Sequence, residues 1–67
     1  RIELQPLHIE MLNFLEQTSQ PLSLEDIVQQ SNYSRAVIIR ALEMLILTEH
    51  VSFYLTREGM KYVVTKK

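Results

Sequence analysis

Arg35 and Arg40 are the side chains of this sequence best suited to recognition chemistry. A guanidinium donates two parallel hydrogen bonds to the O6 and N7 of a guanine, and a serine at a helix N-terminus, here Ser34, can donate to a phosphate oxygen. Arg57, Lys61, Lys66 and Lys67 supply further positive charge that suits phosphate-backbone contacts and salt-dependent binding. The alternative for Arg35 and Arg40 is that they keep an oily helix in water.

Charge distribution bears on that choice. The whole chain has a net charge of −1, which by itself argues against a polyanionic partner. The charges are nevertheless sorted along the sequence. Acids outnumber bases in residues 1–34, and bases outnumber acids in residues 35–67. A basic second half can face phosphates although the molecule is mildly acidic.

Other chemistries lack the residues they need. There is no cysteine, and His8 and His50 lie far apart without clustered carboxylates, so no metal site or cofactor is implied. No glycine-rich phosphate loop and no nucleophile with a neighbouring base occur, and the adjacent Glu25 and Asp26 point to different helix faces, so the chain reads as a non-enzyme with no small-molecule substrate. Tyr33, Phe53, Tyr54 and Tyr62 lack an interleaved basic run and read as packing aromatics rather than base-stacking ones. The longest apolar run is too short for a bilayer, and no signal-like segment opens the sequence, which suggests a cytoplasmic or nuclear protein without a membrane partner.

With 67 residues the chain is expected to form one domain over 1–67, and its start at an arginine fits a piece of a longer chain. Pro6 suits the first turn of a helix, and Leu7, Met11, Phe14 and Leu15 make its apolar stripe as far as Gln17. Thr18 to Pro21 is a polar loop, and Leu22 fits only a short extended segment. Ser23 then caps a second helix, with Asp26 completing a capping box and Leu24, Ile27 and Val28 facing inward, as far as Gln30. Ser31, Asn32 and Tyr33 form a turn in which Asn32 best tolerates a left-handed backbone.

Ser34 caps a third helix running to about Glu49, whose apolar edge is Ile38, Ala41, Leu42 and Leu45. Val51, Phe53 and Leu55 alternate with polar positions like a strand, and Thr56 with Glu58 looks like the start of a helical tail through Met60, Tyr62 and Val63. Lys66 and Lys67 are expected to lie in a frayed end. The expected core is Leu7, Met11, Phe14, Leu24, Ile27, Val28, Ile38, Leu42, Leu45, Val51 and Leu55.

The segment from Ser23 through Arg35 and on through Arg40-Ala41-Leu42-Glu43-Met44-Leu45 resembles the helix-turn-helix of winged-helix DNA-binding proteins. In that family a capping Ser or Thr opens the second helix, a turn residue follows nine positions later, and a second cap two further on opens the recognition helix. Asn32 stands where glycine is usual. Tyr54-Leu55-Thr56-Arg57-Glu58-Gly59 resembles the family's closing motif. The resemblance implies a mainly α fold, a three-helix bundle of winged-helix type with a minimal β wing. It also implies transcription regulation by binding double-stranded DNA through the third helix. Ser34, Arg35, Arg40, Arg57 and Lys61 would then be the contact residues.

Two departures qualify the resemblance. Only Ser52, Phe53 and Tyr54 separate Val51 from Leu55, so the wing is expected to be truncated or absent. The third helix also carries Val37, Ile39, Met44, Ile46 and Leu47 outside its core edge, and such a surplus points to a protein partner or a dimer. A protein-interaction role within a larger assembly is therefore the second reading. Residues 36–43 are also similar to segments in winged-helix extensions of some aminoacyl-tRNA synthetases, which would make the chain an appended RNA-contacting domain.

Overall fold

The computed structural model describes residues 3–18 and 20–65. Arg1, Ile2, Ser19, Lys66 and Lys67 lie outside the described residues, and with them the contacts expected of the two terminal lysines. Three helices come first, α1 (Pro6–Gln17), α2 (Leu24–Gln30) and α3 (Arg35–Leu47). They are followed by an antiparallel hairpin of β1 (Val51–Thr56) and β2 (Gly59–Val64).

The helices begin where their caps place them. Ser23 and Asp26 bond reciprocally, each backbone N–H donating to the other's side-chain oxygen at 3.1 Å. Ser34 Oγ accepts from the Val37 N–H at 3.3 Å. At the start of α1, His8 Nδ1 accepts from the Gln5 N–H at 3.0 Å, so this imidazole serves a helix end. Each bond satisfies a backbone donor near the helix start that lacks an intrahelical partner.

α3 ends in a Schellman motif, with Glu49 N–H donating to Ile46 O at 3.0 Å and His50 N–H to Leu45 O at 2.8 Å. This geometry requires a left-handed residue, and Glu49, at φ 66°, supplies it. Asn32, expected in that conformation, does not adopt it. The turn before α3 is instead held by side chains: Tyr33 N–H donates to Ser31 Oγ, and the Tyr33 hydroxyl donates to Glu10 Oε1 on α1.

Met11 and Leu15 of α1, Leu22, Ile27 of α2, Ile38, Ala41, Leu42 and Leu45 of α3, and Val51 form the buried core. Phe14, Leu24 and Val28 pack around it half-buried, and Leu7 is half-buried as well. Leu55 departs from the expected core, being 77% exposed. Val51, Phe53 and Leu55 share one face of the hairpin with their partners Val64, Tyr62 and Met60. Only the end nearest the helices is covered. Leu22 pairs with Tyr62 in an isolated antiparallel bridge on the outer side of β2.

The wing is small, as expected, but neither truncated nor followed by a helical tail. The first strand runs through Leu55 and Thr56, only Arg57 and Glu58 form the loop, and residues 59–64 return as the second strand. Thr56 caps a turn rather than a helix: its Oγ1 accepts from the Glu58 N–H at 3.1 Å and donates to Gly59 O at 2.8 Å. Neither Arg57 nor Glu58 has a positive φ, and Gly59, at φ 118°, closes the turn in a conformation that other residues rarely adopt.

Candidate nucleic-acid interface

Burial of Ile38, Ala41, Leu42 and Leu45 fixes the rotation of α3. The same helical period then turns Arg35, Ala36, Ile39, Arg40, Glu43 and Leu47 to solvent, with Ser34 exposed at the entrance. The face is short, mixed in polarity and framed by two arginines. Arg57 lies exposed in the hairpin loop.

The basic candidates differ in how much of their charge is already answered. Arg35 makes a forked ion pair with Glu25 of α2, with Nη2 donating to Oε1 at 2.9 Å and Nη1 to Oε2. The hydrogen bond from Arg35 holds the Glu25 carboxyl below its ordinary pKa, and Glu25 in turn raises that of Arg35. Lys61 Nζ stands 4.0 Å from Asp26 Oδ2 and 3.8 Å from Glu58 Oε1, with its side chain only 21% exposed. Arg40 and Arg57 have no carboxylate within ion-pair distance among the described residues.

The acids at the start of α2 therefore attenuate two of the candidate bases. Asp26 is held below its ordinary pKa, first by the Ser23 backbone N–H and then by the Ser23 side chain. Exposed ion pairs of this kind contribute little to stability because water screens them. They do set which guanidinium is available. Glu25 is the residue sequence reasoning did not single out for this face. Its signal was its place in the first turn of α2, a helix end that the turn brings beside the first turn of α3.

The apolar candidates also separate. Ile39 is 39% and Leu47 65% exposed. Val37 and Met44 are half-buried, and Ile46 is half-buried against the core. A second apolar group lies on the hairpin, where Phe53, Tyr54, Leu55 and Met60 are exposed. Among the aromatics, Phe53 and Tyr62 face each other with ring centroids 6.5 Å apart and planes tilted by 52°.

Three helices closed by a short hairpin, with α2 and α3 joined as a helix-turn-helix, constitute a winged helix. Among solved structures, the chain is similar to the Helicobacter pylori ferric uptake regulator Fur, with a TM-score of 0.75 and 24% identity over 90% of this chain and 45% of that one. It is also similar to the ferric uptake regulator of Francisella tularensis with iron, with a TM-score of 0.73 and 19% identity over 97% of this chain and 55% of that one. At such identities the likeness is one of fold, and this chain spans about half the length of either regulator. No family model and no curated protein matches the sequence.

The Helicobacter protein is described as having three functional metal binding sites. In this chain no three His, Cys, Asp or Glu side chains converge among the described residues. No helix among them is long and apolar enough to cross a membrane.

Proposed function

We propose that this chain is a non-enzymatic winged-helix module that binds double-stranded DNA, a single domain over residues 1–67 of the kind used by transcriptional regulators. The outward face of α3 lies in the major groove, and the hairpin loop approaches the phosphate backbone. The observation that carries this reading is Arg40, an exposed guanidinium on the solvent face of the second helix of a helix-turn-helix, with no acid engaging it among the described residues. The likeness in fold to two ferric uptake regulators supports a regulator-type role.

The five candidate contacts take different parts. Arg40 reads a base edge by the bidentate geometry that guanidinium and guanine share. Ser34 and Arg57 contact phosphates. Arg35 serves only when its fork leaves Glu25, so it contributes less than its position on the helix suggests. Lys61, engaged by Asp26 and Glu58, adds long-range attraction rather than a direct contact.

Fluorescence anisotropy with labelled duplexes at about 50 mM salt tests the assignment. Arg40→Ala is expected to cost roughly 1–3 kcal/mol of sequence discrimination. Arg35→Ala is expected to weaken all duplexes alike and by less. Absence of binding by the parent chain under these conditions contradicts the reading.

A second reading, contact with a protein, is favoured by the exposed apolar residues Ile39 and Leu47 on α3 and Phe53, Leu55 and Met60 on the hairpin. It is compatible with the first, because a regulator can bury one surface against a partner while another faces the groove.

A further inference from the structure

The outer side of β1 is an open sheet edge whose direction can be read from the hydrogen bonds on the far side of the hairpin. Tyr62 exchanges both of its backbone hydrogen bonds with Leu22, donating at 2.7 Å and accepting at 3.1 Å, so its N–H and C=O point away from β1. Phe53, its register partner, therefore belongs to a non-hydrogen-bonded pair. The antiparallel alternation then turns the N–H and C=O of Phe53 and Leu55 away from β2, into the open. The Thr65 N–H to His50 O bond, at 2.9 Å, sets the same phase from the other end. Among the described residues no strand pairs with that side of β1.

Sheet edges are ordinarily guarded by charge, proline, a bulge or a covering segment. The sequence Val-Ser-Phe-Tyr-Leu-Thr of β1 contains neither charge nor proline, and its register with β2 is continuous. Phe53, Tyr54 and Leu55 are all exposed on it.

We propose that this edge pairs antiparallel with the β1 edge of a second copy, about a two-fold axis perpendicular to the sheet. Such an axis keeps equivalent faces of the two hairpins on one side and pairs residues whose numbers have the same parity. Val51 is buried, and centring the register on Tyr54 brings the two exposed outward-facing residues, Phe53 and Leu55, opposite each other. Phe53 of each copy then exchanges two hydrogen bonds with the partner's Leu55. Their side chains become a cross-strand aromatic–aliphatic pair, and Met60 extends that apolar face.

β1 carries no charged side chain, so no like charges meet across the paired strands. The result is a four-stranded sheet across the two copies, in which each outer β2 strand is bridged by Leu22 at Tyr62. This surface differs from the α3 stripe and does not rest on DNA binding.

Sedimentation and amide hydrogen exchange of the chain without DNA, from about 10 µM to about 1 mM, test the proposal. A monomer–dimer equilibrium is expected, with the Phe53 and Leu55 amides protected more strongly as concentration rises. The Tyr54 amide, already turned toward β2, is expected to show no such increase. Leu55→Lys, at an exposed position, should weaken association about tenfold or more by guarding the edge. Phe53→Pro, which removes an outward N–H, should also abolish pairing, with melting curves confirming that each variant is folded. A parent that stays monomeric over the whole range overturns the proposal. So does assembly beyond a dimer, or a dimer that Leu55→Lys leaves intact while Ile39→Glu with Leu47→Glu disperses it.

Discussion

The helix-turn-helix and the hairpin treat their unpaired polar groups in opposite ways. Around α2 and α3, donors near the helix starts are met by Ser23, Asp26 and Ser34, and Arg35 is matched by Glu25. In the hairpin, one strand edge faces outward with exposed apolar side chains and no strand beyond it among the described residues. Helix ends are local problems that a residue three positions away can solve. A strand edge is not local, and its backbone bonds need another strand or water. The helical part therefore supplies a preorganised face, whereas the hairpin supplies an unfinished one.

The largest expected effect separates the two regions by packing. Leu42, 2% exposed in α3, should cost roughly 2–5 kcal/mol when changed to alanine. Leu55→Ala, on the overhanging part of the hairpin, should fall within about 0.5 kcal/mol, measured by denaturant unfolding at low protein concentration. Equal costs would mean that the hairpin tip is part of the core.

Ser23→Ala comes next. It removes the side-chain half of the reciprocal cap and should lower stability by about 1 kcal/mol. An unchanged midpoint would show that the start of α2 is held by packing alone.

The smallest expected effect is the pH dependence of the paired groups. The folded pKa values of Asp26 and Glu25 are lowered. Their stabilisation is complete above their ordinary carboxylate values and is lost as pH falls through the folded ones. Tyr33 is shifted upward by its hydrogen bond to Glu10, so its contribution is present below its ordinary value and is lost as pH rises through the folded one. Asp26→Asn should flatten the acid side of the melting profile and leave the alkaline side unchanged.

The helical region was legible in the sequence because its signals are short-range. Pro6, the Ser23–Asp26 box and Ser34 mark helix starts within one turn, and the apolar period fixes which side of α3 is buried. The hairpin was less legible because Thr56-Arg57-Glu58-Gly59 has the composition of a helix start as well as of a turn. Pairing between residues 51–56 and 59–64 decides between them. Glu49 carried no sign of its left-handed backbone, which the chain's exit from α3 imposes on a residue not suited to it. At the site, Arg35 and Arg40 were visible as a pair, but their inequality depends on Glu25, which only the α2–α3 turn brings within reach.

Heteronuclear NMR titration of the chain with a short duplex at about 50 mM salt tests the central claim, that α3 presents the DNA-contacting face. Amide and arginine side-chain shifts are expected to concentrate in residues 34–43 and at Arg57, with the Arg40 guanidinium moving most and the outer face of α1 unaffected. Saturable binding whose shifts fall on α1, or on the β1 edge with α3 unchanged, would contradict it.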